Sequence, residues 1–193
     1  MVTPMAYYDL IDRFALTGCA VCRLLKRDAQ RHLDGVVYEY TLDRELHRII
    51  RAARGLCNEH GWQLLEVAGA AVGISVVYRA VVDEVIEQTE AQGGSNANPQ
   101  KLAQKLEATE QCVTCKLLNK AEQAYITTFT QYLSDARFKD AYQQSAGLCL
   151  PHVRMALRQK LDKAQVRLLL DSQQQMWIAI ACRSGVVSGQ EPA

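Results

Sequence analysis

The sequence predicts an all-α chain, a helical bundle built from two pseudo-repeated halves. Three observations predict it. First, two short motifs each occur twice. Cys19-Ala20-Val21-Cys22 and Cys112-Val113-Thr114-Cys115 are C-x2-C pairs, and Gly55-Leu56-Cys57-Asn58-Glu59-His60 and Gly147-Leu148-Cys149-Leu150-Pro151-His152 share the pattern G-L-C-x2-H. The copies are offset by 93 residues at C-x2-C and by 92 at G-L-C-x2-H, so one deletion reconciles them. A basic residue and two leucines follow each C-x2-C: Arg23-Leu24-Leu25 and Lys116-Leu117-Leu118. Second, apolar residues recur at steps of three and four, as in Leu118, Ala121, Tyr125, Phe129 and Tyr132, and again from Leu157 to Met176. Third, the chain is rich in Ala, Leu, Gln, Glu, Arg and Lys, which are good helix formers.

The first half, residues 1–90, reads as a helix from the C-x2-C carrying Leu25, Leu33, Val36 and Val37, a shorter helix, and a long helix starting at the C-x2-H. Within that long helix, the apolar run from Val67 to Val82 is interrupted by Arg79 and falls short of the ~20 residues a membrane span needs, so it reads as a buried helix. Gly69, Ala70, Ala71, Gly73 and Ser75 are small, and glycine inside a helix predicts close approach by another helix of the same chain. Residues 91–99 are rich in Gly, Ser and Asn, end in proline and carry no large apolar residue, so they read as a linker. The second half, 100–183, repeats the three-helix pattern, and 184–193 is a weakly apolar tail expected to fray.

Bulk properties narrow the function classes. At 193 residues the chain can build one or two real cores. It is 49% hydrophobic with a net charge of +1, which gives no dominant footprint for nucleic acid or an anionic membrane. Arg44, Arg48, Arg51 and Arg54 are close in sequence and read as a solvated helix face. The N-terminal stretch has no basic segment leading into an apolar one, so the expected compartment is the cytoplasm.

Seven cysteines are then a heavy load, because thiols of a reducing compartment serve metals or catalysis more often than disulfides. Six of them fall into the repeated motifs with His60 and His152, which makes Cys19, Cys22, Cys57, His60, Cys112, Cys115, Cys149 and His152 the candidate metal ligands. Residues three apart at a helix start share one face. The positive end of the helix also lowers the cost of forming a thiolate. Two such helix starts facing each other would offer three sulfurs and one nitrogen in tetrahedral array, the geometry zinc adopts with Cys3His.

The two pairs are separated by 34 residues in the first half and 33 in the second, a gap that a helical hairpin would close by returning the chain to its start. Pairing within each half therefore needs the fewest assumptions, with pairing across the halves as the alternative. Arg23 and Lys116 stand where covalent haem attachment would need histidine. Iron–sulfur clusters are the rival cofactor, and a thiol/disulfide dithiol is the rival to any metal. Cys182 reads as a small core residue, and His32 and His47 as solvent-exposed. No phosphate loop, nucleophile elbow or H-E-x-x-H motif is present, and no residue stands out as catalytic.

The motifs, together with the small-residue helix through Gly73-Ile74-Ser75, resemble a family of small uncharacterised bacterial and archaeal proteins catalogued as a domain of unknown function. Members often carry proline after the first cysteine, where Ala20 and Val113 stand here. The resemblance implies a helical fold with metal-type motifs and no particular activity. The expected function is a protein with two structural Cys3His zinc sites that binds another protein. The alternatives are an iron–sulfur electron-transfer or sensing protein, a thiol redox protein, and an enzyme in which His60 or His152 is an exchangeable zinc ligand.

Overall fold

A computed structural model describes residues 3–39, 42–92 and 98–183, and these fold into ten helices with no strand among the described residues. They are α1 (Met5–Phe14), α2 (Ala20–Tyr38), α3 (Arg44–Ala52), α4 (Asn58–Leu65), α5 (Ala71–Gln92), α6 (Pro99–Leu106), α7 (Val113–Tyr132), α8 (Ala136–Gln143), α9 (Leu150–Leu157) and α10 (Lys163–Arg183). Helices α6–α10 repeat α1–α5 in order and nearly in length, so the repeat holds five helices where the sequence suggested three. The linker expected at 91–99 begins as the end of α5 and closes with Pro99 in the first turn of α6, while residues 93–97 and the tail 184–193 lie outside the described residues.

Local chemistry sets the element ends. The Asp43 carboxylate accepts from the Leu46 N–H to start α3, Asp135 does the same with Phe138 for α8, and Asn98 caps α6 by accepting from Gln100 and Lys101. The helix that begins at each C-x2-H is short, not long. α4 stops at Leu65, and the chain turns through Gly69, at φ +70°, before the long α5 begins. Val67 to Val82 is accordingly not one buried helix: it starts in this turn, and Val72 and Val82 face outward.

The chain forms two compact units that cut across the sequence halves. One comprises Met1–Lys26 with Ala121–Ala193, and the other comprises Arg27–Lys120. Each unit therefore takes its opening helix and C-x2-C from one repeat and its remaining helices from the other. The division at 91–99 expected from composition does not mark the boundary between them.

The first unit has an aromatic core. Phe14, Phe129, Phe138 and Tyr142 are almost fully buried, with ring centroids 5.2 Å apart for Phe14–Phe138 and 5.0 Å for Phe129–Tyr142, both edge-on. The second unit is packed with aliphatic side chains, among them Leu33, Val36, Ile50, Leu64 and Val77. Repeat-related positions are buried in both: Val36 corresponds to Phe129 and Ile50 to Tyr142. The small residue at Gly73 has the role the sequence suggested. A methyl group there would lie 2.4 Å from the Val37 carbonyl oxygen, so α5 and α2 touch along their backbones.

Candidate metal centres

The eight candidate ligands come together as two sets of four. Cys19, Cys22, Cys149 and His152 form the cluster of the first unit, and Cys57, His60, Cys112 and Cys115 that of the second. The pairing runs across the halves, contrary to the within-half expectation, and helix lengths explain it. α2 has 19 residues and carries the chain about 28 Å from its C-x2-C, whereas the nine residues of α3 return it only about 13 Å. A hairpin so lopsided does not return the chain to its starting end. The second half has the same imbalance, with 20 residues in α7 against eight in α8.

Each cluster is built where two helices begin. Cys57 and Cys149 occupy the position just before α4 and α9, and Cys19 and Cys112 the position just before α2 and α7. The left-handed backbone at Gly18 (φ +86°) and Gly147 (φ +76°) turns the chain into these starts, and Pro151 sits in the first turn of α9, where its missing N–H costs nothing.

The two geometries nearly coincide. His152 Nδ1 lies 3.0 Å from Cys149 Sγ, 3.3 Å from Cys19 Sγ and 3.5 Å from Cys22 Sγ, and the Cys22 and Cys149 sulfurs are 3.6 Å apart. His60 Nδ1 lies 3.1 Å from Cys57 Sγ, 3.3 Å from Cys115 Sγ and 3.7 Å from Cys112 Sγ, with Cys57 and Cys115 again 3.6 Å apart. Both imidazoles are buried, Cys112 is buried, and Cys22 is exposed.

Crowding four donors has electrostatic consequences. Burial pushes the Cys19 thiol up, but hydrogen bonds from His152 and from the Cys22 and Cys149 backbone N–H groups outweigh it and lower its pKa to about 6. Burial and the neighbouring Cys19 and Cys149 sulfurs drive Cys22 strongly upward, and burial also raises Cys149. In the second cluster, burial of Cys112 is outweighed by backbone N–H donors of Cys115, Cys57 and Thr114, while burial and Cys57 push Cys115 up to about 12. Each cluster thus stabilises one thiolate and resists a second. A cation at the centre would remove that resistance, which is what a metal-binding donor set requires. Each cluster could hold a metal ion.

The surroundings of the two clusters differ. His152 Nε2 donates to Glu122 Oε1 at 2.9 Å, and these bonds to Cys19 and Glu122 raise the imidazole pKa against the lowering effect of burial. Ala29 occupies the place of Glu122 in the other repeat. Near His60 stands His32, half-buried rather than exposed, its Nε2 buried without a partner among the described residues and its pKa lowered by burial and by His60. His47 is also only partly exposed, and Cys182 is exposed on α10 rather than buried in a core. Glu122 escaped the sequence reading because no motif spacing ties it to His152.

Residues 72–180 match a family of unknown function, DUF6062. The chain belongs to that family. The DUF6062 match spans one C-x2-C, at Cys112 and Cys115, and one G-L-C-x2-H, at Cys149 and His152, so it holds half the donors of each cluster. No curated protein and no solved structure matches the chain. Among the described residues, no helix is long and apolar enough to cross a membrane.

Proposed function

We propose that each cluster holds a single zinc ion in a closed structural site, and that this DUF6062 protein acts by binding another protein. One observation carries the reading: in each cluster a complete set of three sulfurs and one nitrogen lies with all four donor atoms within 4.8 Å of one another. Around a tetrahedral zinc with Zn–S bonds of about 2.3 Å, neighbouring sulfurs stand about 3.8 Å apart. The 3.6 Å separations of Cys22–Cys149 and Cys57–Cys115 suit such an ion. An iron–sulfur cluster puts several irons and sulfides between its protein ligands and needs a wider ring of donors, so the spacing favours one ion. Four protein ligands complete a tetrahedral shell and leave no position for substrate, which argues against catalysis at the metal.

Bound there, zinc would act as a crosslink between segments distant in sequence. Cys19 and Cys22 would be joined to Cys149 and His152, and Cys57 and His60 to Cys112 and Cys115. For the binding role, the support is the apolar surface beside the second cluster, where Trp62 is 65% and Leu65 59% exposed. The test is metal analysis and visible absorption of full-length protein purified without oxygen, followed by chelation. Colourless protein with zinc, whose helicity and melting temperature fall on chelation, is the expected result. Iron with sulfide and a broad visible absorption would replace zinc with clusters, and unchanged melting after metal removal would overturn the structural role.

A further inference from the structure

Arg44, Arg48 and Arg51 are exposed, as on a solvated helix face, but the end of the run also borders a cleft. Arg48, Arg51 and Arg54 join Lys101 and Lys105 of α6 around a cleft of about 740 Å³, in which Glu84 of α5 is the one carboxylate among the described residues that line it. Arg54 builds the floor. Its guanidinium donates to the carbonyls of Arg51, Lys105 and Leu106 and pairs with Glu84 at 3.4 Å, tying the end of α3 to the end of α6. The Thr109 N–H donates to the Ala52 carbonyl at 2.8 Å and fixes the same junction. Glu45 pairs with Arg48 at 2.7 Å and Glu84 with Arg54, which leaves Arg51, Lys101 and Lys105 without an acidic partner among the described residues, in a chain whose net charge is only +1.

The repeat supplies an internal control. A cavity of about 270 Å³ at the corresponding ends of α8 and α10 in the first unit is lined by no charged residue, with Gln143 for Arg51, Ala146 for Arg54, Met176 for Glu84 and Ile180 for Gln88, and the positions of Arg48, Lys101 and Lys105 are held there by Asp140, Tyr8 and Asp12. The fold therefore does not need the charges, and only one copy has them. Like charges that lack an acidic partner repel one another, so the gathering of Arg51, Lys101 and Lys105 in one copy points to a ligand.

We propose that this cleft binds a small anion bearing two or more phosphate groups. Its volume lies within the roughly 300–1,000 Å³ of small-molecule sites. The Arg51 fork and the Lys101 and Lys105 ammonium groups match phosphate oxygens, and their spread over two helices suits more than one phosphate group. Gln88 and Thr109 supply neutral hydrogen-bonding groups on the same lining. The proposal is independent of the metal reading.

The test is calorimetric titration of the full chain with inorganic pyrophosphate, inorganic phosphate and a short single-stranded RNA, with metal content and circular dichroism recorded for every variant. Pyrophosphate should bind at one site per chain, more tightly than phosphate and more weakly as salt rises. Arg51→Gln with Lys105→Gln should weaken it by at least about tenfold. Should that pair disturb folding, Lys101→Gln with Lys105→Gln, both exposed on α6, gives the same reading. Lys163→Gln with Arg167→Gln removes equal charge from α10 and should leave binding unchanged. Absence of binding, equal weakening by the α10 pair, or RNA binding more tightly than pyrophosphate with a steeper salt dependence would overturn the proposal.

Discussion

The imidazole of His152 is held from both sides: Nδ1 faces the sulfurs of Cys19, Cys22 and Cys149, while Nε2 donates to Glu122 Oε1 at 2.9 Å. A carboxylate behind a ligating imidazole fixes its tautomer and raises its basicity, and loss of such a partner typically weakens metal binding 10–100-fold. Glu122→Ala should therefore release one metal equivalent per chain to a competing chelator at 10–100-fold lower chelator concentration. The second equivalent, held at His60, should be unchanged. Equal effects on both equivalents would show that Glu122 does not act through His152.

Gly73→Ala should destabilise the second unit. The added methyl would lie 2.4 Å from the Val37 carbonyl oxygen and 2.9 Å from Val37 Cβ, and neither the backbone nor a β-branched side chain can swing away. Overpacking of this kind costs about 1–3 kcal/mol, readable as a lower urea midpoint.

Phe138→Ala should cost about 3–5 kcal/mol. Phe138 is fully buried and its ring meets those of Tyr7, Phe14 and Phe129, so truncation leaves a cavity lined by rigid aromatic rings that cannot collapse around it. The loss should appear in chemical denaturation without any change in metal stoichiometry.

The Asp135–Tyr7 contact sets a pH dependence. Backbone N–H donation from Phe138, followed by the Tyr7 hydroxyl, holds the Asp135 carboxyl below its ordinary range. A carboxyl depressed on folding contributes stability above its unfolded pKa, and that contribution disappears as pH falls through the folded pKa. The melting-temperature gap between the parent chain and Asp135→Asn should be full near neutrality and should close below about pH 4. A gap that widened on acidification would contradict the assignment.

Most of the chemistry at the candidate centres was legible in the sequence. Cysteine and histidine spacing at helix starts picked out the eight residues that the structure gathers into two clusters, and the small residue Gly73 announced a close helix contact. The pairing was not legible from the motifs, because it depends on how far α2 and α7 outrun α3 and α8, and motif spacing counts residues without saying where helices end. The cationic cleft was hidden for a related reason. Arg44, Arg48 and Arg51 do lie exposed as a charged helix face should, but only the fold brings Lys101 and Lys105, about fifty residues away, beside Arg51. Contacts between side chains of distant elements, such as Glu122 with His152, leave no periodic mark.

The central claim is that each metal is held by the C-x2-C of one repeat and the C-x2-H of the other. Metal content per chain in two double variants tests it most directly. Cys19→Ala with Cys149→Ala damages a single cluster, so one metal should remain. Cys19→Ala with Cys57→Ala damages both clusters, so little or no metal should remain. The reverse pattern, with one metal kept by the Cys19/Cys57 variant and none by the Cys19/Cys149 variant, would mean that each half of the sequence binds its own metal and would contradict the account.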